Sequence, residues 1–247
     1  MSDLIKIKVD FHIHSSEDYV ETVMEKEKLP TPEEYILKAK QLGFDAISFT
    51  NHSTWFDGEK YSDIASRNGI ILFPGIEMCV NGKHVLLYNF PKGSWIESFE
   101  QLRKLKNNDN LVIAAHPYFW AGKCLGRELE KNIAMFDGIE ISHFFTGWFN
   151  PNKKAVTTAE KYNLPLLSFS DSHKIRMFGR NHVFLYVEEK SVKGIINAVK
   201  AGRVENVAPP MKMHEIMFES FSKLKYIRYV FGESPEEKFI RLNRPKG

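Results

Sequence analysis

Short apolar runs alternate with helix-patterned stretches along most of the chain. The runs predict strands over 6–11, 46–50, 70–79, 85–90, 111–115, 138–141, 166–169 and 183–187. The stretches between them predict helices over 31–42, 59–67, 95–107, 126–132, 151–162 and 191–201. Local signals agree with this reading. Thr31-Pro32-Glu33-Glu34 supplies an N-cap, a proline for the first helical position and acids where the helix dipole favours them. Gly43 stops that helix. Asn81-Gly82 lies between two apolar runs and predicts a two-residue hairpin. Strands and helices in alternation over one domain-sized chain predict an α/β fold, with βα units around a largely parallel sheet.

The alternation ends near residue 208, where Pro209-Pro210 interrupts it. We therefore expect a main unit over 1–208 and a C-terminal segment over 209–247. In that segment 214–231 carries Met217, Phe221, Leu224, Ile227 and Phe231 at helical spacing, which predicts a helix. Residues 232–247 are charged and read as a loose tail. Lys223, Lys225 and Arg228 read as a solvated helix face, and His214 has no evident chemical role.

Composition narrows the function classes. The chain has 247 residues, 43% hydrophobic and 26% charged, as ordinary globular proteins have. A net charge of +3 calls for neither a long nucleic acid nor a membrane surface. Two cysteines, Cys79 and Cys124, make no disulfide framework. The start, Met1-Ser2-Asp3-Leu4, lacks a basic region before an apolar core, and no run reaches the ~18 apolar residues of a membrane span. A cytoplasmic protein with no membrane association and no obligate protein partner is expected.

The chemistry lies at the ends of the strands. His12 and His14 follow the first strand, and on an extended backbone residues two apart share a face. Asn51-His52 follows the second strand, and Glu77 is late in the third. His116 follows the strand at 111–115, Glu140 is late in the next, and Asp171 and His173 follow 166–169. In an α/β barrel the carboxyl ends of the strands converge on one face, where active sites are built. His84 starts a strand, but the expected hairpin pairs Cys79 with His84 and Glu77 with Leu86. Glu77 and His84 then become diagonal neighbours on one face. This inventory exceeds the four ligands of one tetrahedral zinc, so more than one cation is expected. Glu77 or Asp171 could bridge two of them. Imidazole and carboxylate without thiolate suits zinc, manganese or iron.

These residues fall into ordered motifs: Asp10-x-His12-x-His14, Thr50-Asn51-His52, Gly75-Ile76-Glu77, His84, Ala115-His116-Pro117, Gly138-Ile139-Glu140-Ile141 and Ser170-Asp171-Ser172-His173. In order and spacing the chain resembles the PHP (polymerase and histidinol phosphatase) domain over roughly 5–190. The resemblance implies a distorted seven-stranded β/α (TIM-like) barrel, here followed by a C-terminal helix, and two or three divalent ions. It assigns His12, His14, Glu77 and Asp171 to a first ion, and Glu77, His84 and His116 to a second. It assigns Asp18, with Glu17 as the alternative, His52 and His173 to a third. The family commonly carries Thr-Asp-His where this chain has Thr50-Asn51-His52, so Asn51 keeps a carbonyl acceptor but no charge.

The implied activity is hydrolysis of a phosphate monoester or diester of a small metabolite or nucleotide by metal-activated hydroxide. Asp171, His173 and His14 carry the catalytic expectation, with Asn51 and Glu140 supporting the ligands from behind. Arg176 and Arg180 suit phosphate oxygens, and Lys123 and Arg127 are weaker candidates. His143 sits three residues after Glu140 and would face away from it on a continuing strand; His182 reads as structural or pocket-lining. Tyr118, Phe119, Trp120, Phe144, Phe145 and Trp148 could stack a base, though rim packing is the default. Two other functions stay open: trimming of short oligonucleotides, and a catalytically weak metal-binding module with a structural or regulatory role.

Overall fold

The computed structural model describes residues 3–24, 28–120, 122–212, 215–216 and 233–244. Within them the strands are β1 (Ile5–Ile13), β2 (Ala46–Phe49), β3 (Ile71–Leu72), β4 (Gly75–Val80), β5 (Lys83–Tyr88), β6 (Leu111–Ala114), β7 (Gly138–Glu140), β8 (Leu166–Leu167), β9 (His182–Val187) and β10 (Val204–Val207). The helices are α1 (Tyr19–Met24), α2 (Pro32–Gln41), α3 (Ser62–Arg67), α4 (Phe99–Leu105), α5 (Arg127–Lys131), α6 (Lys153–Tyr162), α7 (Val192–Lys200) and α8 (Pro235–Asn243).

The α/β expectation holds, with strands in two five-stranded sheets ordered β10-β9-β1-β2-β3 and β4-β5-β6-β7-β8. One closed seven-stranded barrel is not the hydrogen-bond pattern among the described residues. Pro74 divides the expected strand 70–79 into β3 and β4, because proline has no N–H for a ladder. β9 pairs antiparallel with β1, and β10 antiparallel with β9, where a largely parallel sheet was expected. The sheets still meet: His52 bridges to Glu77, and Asn206 Nδ2 donates to Leu166 O at 2.9 Å.

Alternation along the strands builds three apolar layers. Val9, Phe11, Phe73, Leu86, Tyr88, Ile113 and Leu167 form a core shared by both sheets. Val85 and Leu87, on the opposite side of β5, pack with Phe99 and Leu102 of α4 and Ala155 and Ala159 of α6. Ile47 and Phe49 of β2 pack with Tyr35, Ile36 and Ala39 of α2. Each side chain of this size contributes roughly 1.5–3 kcal/mol on full burial.

The caps form as the residues dictate. Thr31 and Glu34 make a reciprocal capping box at α2. Ser98 and Gln101 do the same for α4, which starts four residues after the expected Trp95 because the cap lies at Ser98. The expected helix 214–231 lies almost wholly outside the described residues, His214 included. The loose tail expected after it is instead α8 over Pro235–Asn243, with its own box between Ser234 and Glu237. α1 and β10 were not expected.

Gly194 in α7 gives a stability test. A Cβ there would lie 2.1 Å from the Glu189 carbonyl oxygen. Helix propensity alone favours alanine over glycine by about 1 kcal/mol. The clash reverses the sign, and Gly194→Ala is expected to lower urea-unfolding stability by about 1–3 kcal/mol.

Candidate metal centre

β1 pairs in step with β9 up to Val9, but its register against β2 shifts between Asp10 and Ile13. Such an irregularity re-aims side chains. Phe11 stays in the shared core and Ile13 packs toward α2, while His12 and His14 are fully buried at the end of β1. Asp10 ties this strand end to the loop after β8, since its Oδ1 accepts from Ser170 N at 3.1 Å. Burial pushes the Asp10 carboxyl up to about 7.

The hairpin forms as the Asn-Gly pair predicts, with positive φ at Asn81 and Gly82 and with Cys79 paired to His84 and Glu77 to Leu86. Glu77 and His84 thereby meet, with Glu77 Oε1 2.9 Å from His84 Nδ1. Asp171 is held at φ +47° and His116 at φ +26°, backbone values that residues other than glycine seldom adopt.

His12, His14 and Asp171 could hold an ion together, and Glu77 lies against both imidazoles. His12 Nε2 lies 3.4 Å from Glu77 Oε2 and 3.5 Å from Asp171 Oδ1. His14 Nε2 lies 3.4 Å from each of the same two oxygens. Ligands about 2.0–2.2 Å from one tetrahedral ion are separated by roughly 3.3–3.5 Å, and the approaches of both imidazoles to Asp171 and to Glu77 are of that size. Among the described residues His14 Nε2 and Glu77 Oε1 are buried without a hydrogen-bond partner. The close approach of Glu77 Oε1 to His84 Nδ1 is thus not an aligned hydrogen bond. Two buried ligand atoms without a hydrogen-bond partner suit a cation, so the donor set fits the implied metal.

The other candidates surround this group. Asp171 Oδ2 is 3.9 Å from His116 Nε2, which is 4.0 Å from Glu77 Oε1. His52 Nε2 is 3.2 Å from Glu77 Oε2. His52, Glu77 and His84 could hold an ion together, and so could His14, Asp18 and His52. His173 lies beside them, with Nε2 3.5 Å from Glu21 Oε1 and its ring stacked on His14 at 4.2 Å.

Carboxylates grip the far edges of several rings. Glu140 Oε1 is 2.8 Å from His12 Nδ1, and its Oε2 accepts from His116 N. Asp18 Oδ2 is 2.8 Å from His14 Nδ1 and 2.9 Å from His52 Nδ1, and it accepts from His52 N as well. Its Oδ1 accepts from Glu21 N in the first turn of α1. Asn51 Oδ1 accepts from Ser15 N and Oγ, so it holds the loop after β1 and not a histidine ring.

Burial would raise the carboxyls and lower the imidazoles, and in this cluster charge overrides both. His84, His52 and His12 hold Glu77 well below the usual carboxylate range. Glu140, Asp171 and Glu77 hold His12 well above the usual imidazole range. Asp18 and Glu77 raise His52 to about 10. Cys124, whose Sγ lies 3.3 Å from Nδ1, and then Asp171 and Glu140 raise His116 to about 9.

Several sequence candidates lie elsewhere. Glu17 accepts from Lys60 Nζ and the Tyr61 hydroxyl, outside the cluster. Arg180 is held by Glu215 at 2.9 Å and donates to Pro210 O, a clamp on the chain after β10. Arg176 lines a cleft with Lys28, Leu29, Pro30, His173, Lys174 and Ile175. His182 contacts Gly179 O and packs among Phe44 and Phe184. Lys123 faces Glu236 of α8 at 3.4 Å.

Three site residues escaped the sequence reading. Glu21 follows Asp18 by three residues, one helical turn, and that spacing was its available signal. His143 reaches Asp171 Oδ2 at 3.9 Å because β7 ends at Glu140, so strand alternation no longer governs it. Glu236, placed by α8, contacts His84 Nε2 at 3.0 Å.

The comparisons give the family and the fold. Residues 10–133, half of the chain, match the family described as "PHP domain", and residues 149–204 match the one described as "PHP-associated". An uncharacterised protein of Methanocaldococcus jannaschii is 28% identical over 144 residues, which are 55% of this chain and 81% of that protein. A two-domain protein of Bacteroides vulgatus, described as containing a predicted PHP-like metal-dependent phosphoesterase, superposes with TM-score 0.63 at 20% identity over 90% of this chain and 71% of that one. A lesion-specific endonuclease of Pyrococcus furiosus superposes with TM-score 0.55 at 16% identity over 87% of this chain and 66% of that one.

Proposed function

The chain belongs to the PHP domain family, and from that membership we propose a metal-dependent phosphoesterase that cleaves a phosphate monoester or diester of a small metabolite or nucleotide. The observation that carries the reading is the gathering of His12, His14 and Asp171 into one group that could hold an ion, with Glu77 Oε2 3.4 Å from both imidazoles. Two or three ions of zinc, manganese or iron suit the donors. When bound, such ions would supply a charge sink for phosphoryl oxygens and a water acidified from about 15.7 to about 7.

The chain's own residues divide the remaining work. His12, His14, Asp18, His52, Glu77, His84, His116, Asp171 and His173 form the proposed ligand set. Glu140 fixes His12, and Asp18 fixes His14 and His52 from behind. Asp171 offers Oδ1 to His12 and His14 and Oδ2 to His116 and His143, so both of its oxygens serve the cluster. His173 lines the cleft and so sits where the proposed ligand set meets an incoming substrate. Arg176, Lys28 and Lys174 give that cleft a cationic lining suited to the rest of an anionic substrate. Arg180, clamped by Glu215, is not part of the proposal. No described helix is long and apolar enough to cross a membrane.

A second reading, cleavage of short single-stranded oligonucleotides, is favoured by one observation. Trp120 and Trp148 are 76% and 79% exposed. From His116 the rings step outward through Phe119 at 6.3 Å and Trp120 at 6.5 Å to Phe149 at 5.2 Å. Stacked bases gain about 1–3 kcal/mol each on such surfaces. One substrate panel tests both readings: an aryl phosphate monoester and diester, free nucleotides and short single strands, each with manganese or zinc. Hydrolysis lost in His14→Ala and Asp171→Ala is the expected result. Preference for oligomers over mononucleotides would select the second reading. No hydrolysis of any substrate by the metal-loaded protein would leave the binding-module function in place of both.

A further inference from the structure

α8 lies beyond both stretches that match the family, which end at residue 204. Its first turn enters the candidate centre. Glu236 is only 4% exposed, and its carboxylate is fully engaged. Oε2 is 3.0 Å from His84 Nε2 and 3.4 Å from Lys123 Nζ, and Oε1 accepts from Ser53 Oγ at 3.1 Å. The helix is pinned around this contact. The Phe239 ring lies 5.1 Å from Tyr19 of α1, and Arg244 pairs with Glu97 at 2.7 Å. The Ser234–Glu237 box and Pro235 fix the start of the helix. A carboxylate costs several kcal/mol to bury unless its partners are all in place, so this arrangement is specific.

The two edges of the His84 ring face different carboxylates. Nδ1 faces Glu77, around which the other candidate ligands gather, at 2.9 Å without hydrogen-bond alignment. A nitrogen that binds a cation must be unprotonated, which leaves Nε2 as the N–H donor. Nε2 is the atom that Glu236 faces. His12 shows the same logic with the ring reversed, Nε2 toward Glu77 and Asp171 and Nδ1 toward Glu140.

We propose that Glu236 is a positioning residue for the metal centre: its carboxylate, delivered by α8, accepts the Nε2–H of His84 and fixes the ring with Nδ1 turned to the ion shared with Glu77. The inference rests on the reading of His84 as a metal ligand under Proposed function, and it ties docking of the C-terminal helix to ion occupancy on one side of the centre. Outer carboxylates of this kind typically change metal affinity by about 10–100-fold.

The test measures binding of zinc to the full chain by chelator competition, with no substrate present. Glu236→Gln keeps the shape of the side chain and removes its charge. It is expected to weaken one ion about 10–100-fold, the same ion that His84→Ala loses, and to leave the tighter remainder unchanged. With cobalt in place of zinc, the visible absorption bands of that one site should shift in Glu236→Gln. Wild-type affinity for every ion in Glu236→Gln, alongside loss of one in His84→Ala, overturns the proposal. A merely structural α8 would lower the melting temperature of the chelated variant and leave zinc affinity alone, which also overturns it. Should Glu236→Gln not fold, Ser53→Ala carries the test by freeing Oε1 without touching His84: several-fold weaker binding supports the role, and unchanged binding overturns it. Metal binding by a wild-type chain that hydrolyses no phosphate ester would remove the phosphoesterase reading while leaving this result intact.

Discussion

Glu77→Gln is expected to remove at least one ion from the protein and to lower phosphoesterase activity by more than the ~10–100-fold typical of an outer-sphere partner. Five rings of the cluster approach this carboxylate. Oε2 lies within 3.4 Å of His12, His14 and His52, and Oε1 lies 2.9 Å from His84 and 4.0 Å from His116. The amide has nearly the same volume, so the surrounding core need not move. It lacks the charge, and it offers one oxygen where the carboxylate offers two, so it cannot serve two cations at once. The same exchange would withdraw one of the anions that raise His12, His52 and His84 without metal. Their titrations should fall from these raised positions, most for His84, whose largest raising charge is Glu77, while Glu140 and Asp171 still face His12 and Asp18 still faces His52. Metal analysis of the purified variant and histidine titration by NMR give the two readouts. A Glu77→Gln protein that retains the full complement of ions would show that Glu77 is not the shared ligand.

How much of this could be read from sequence depended on whether one residue pair or several elements set the position. The Asn81-Gly82 hairpin was legible because a two-residue turn with both φ positive needs those residues and fixes the register by itself. That register brought Glu77 to His84. The strand-end placement of His12, His52, His116 and Asp171 was legible too, since it follows from a βα repeat. Sheet closure was not. It depends on how β3 and β4 sit beside each other after Pro74 and on where β9 and β10 pair, and neither is a local property.

The tail was a different failure. Ser234-Pro235-Glu236-Glu237 repeats the logic of Thr31-Pro32-Glu33-Glu34, and both form capping boxes. The first was read as a helix start, whereas the second was submerged in a charged, proline-containing stretch. What no local signal carries is the contact between Glu236 and His84, 152 residues apart in sequence. Arg180 makes the converse point. Proximity in sequence to Asp171 and His173 suggested phosphate binding, yet Glu215 and Pro210 take its guanidinium.

Removing the metal should make the protein's stability fall as pH rises, and restoring it should largely abolish that slope. Without metal, the folded chain holds His52 at about 10 and His116 at about 9, against about 6.5 in an unfolded chain. A basic group raised on folding stabilises fully below its unfolded value and loses that contribution as pH climbs through its folded value. The chelated protein is therefore expected to melt progressively lower from about pH 7 to pH 10. Ligation needs the neutral imidazole, so the loaded protein has little of this slope, and ion binding near pH 7.5 must release protons. Binding at roughly 1,000 times Kd adds about 4 kcal/mol. For a chain of this size that corresponds to a melting rise of about 8–16 °C, and the gap should widen with pH. Thermal scans of chelated and reloaded protein across pH 7–10 measure the slopes. Calorimetry in two buffers of different ionisation enthalpy counts the protons. A chelated protein equally stable across that range, or ion binding without proton release, would mean that these imidazoles are neither charged in the empty centre nor displaced from protons by the ion.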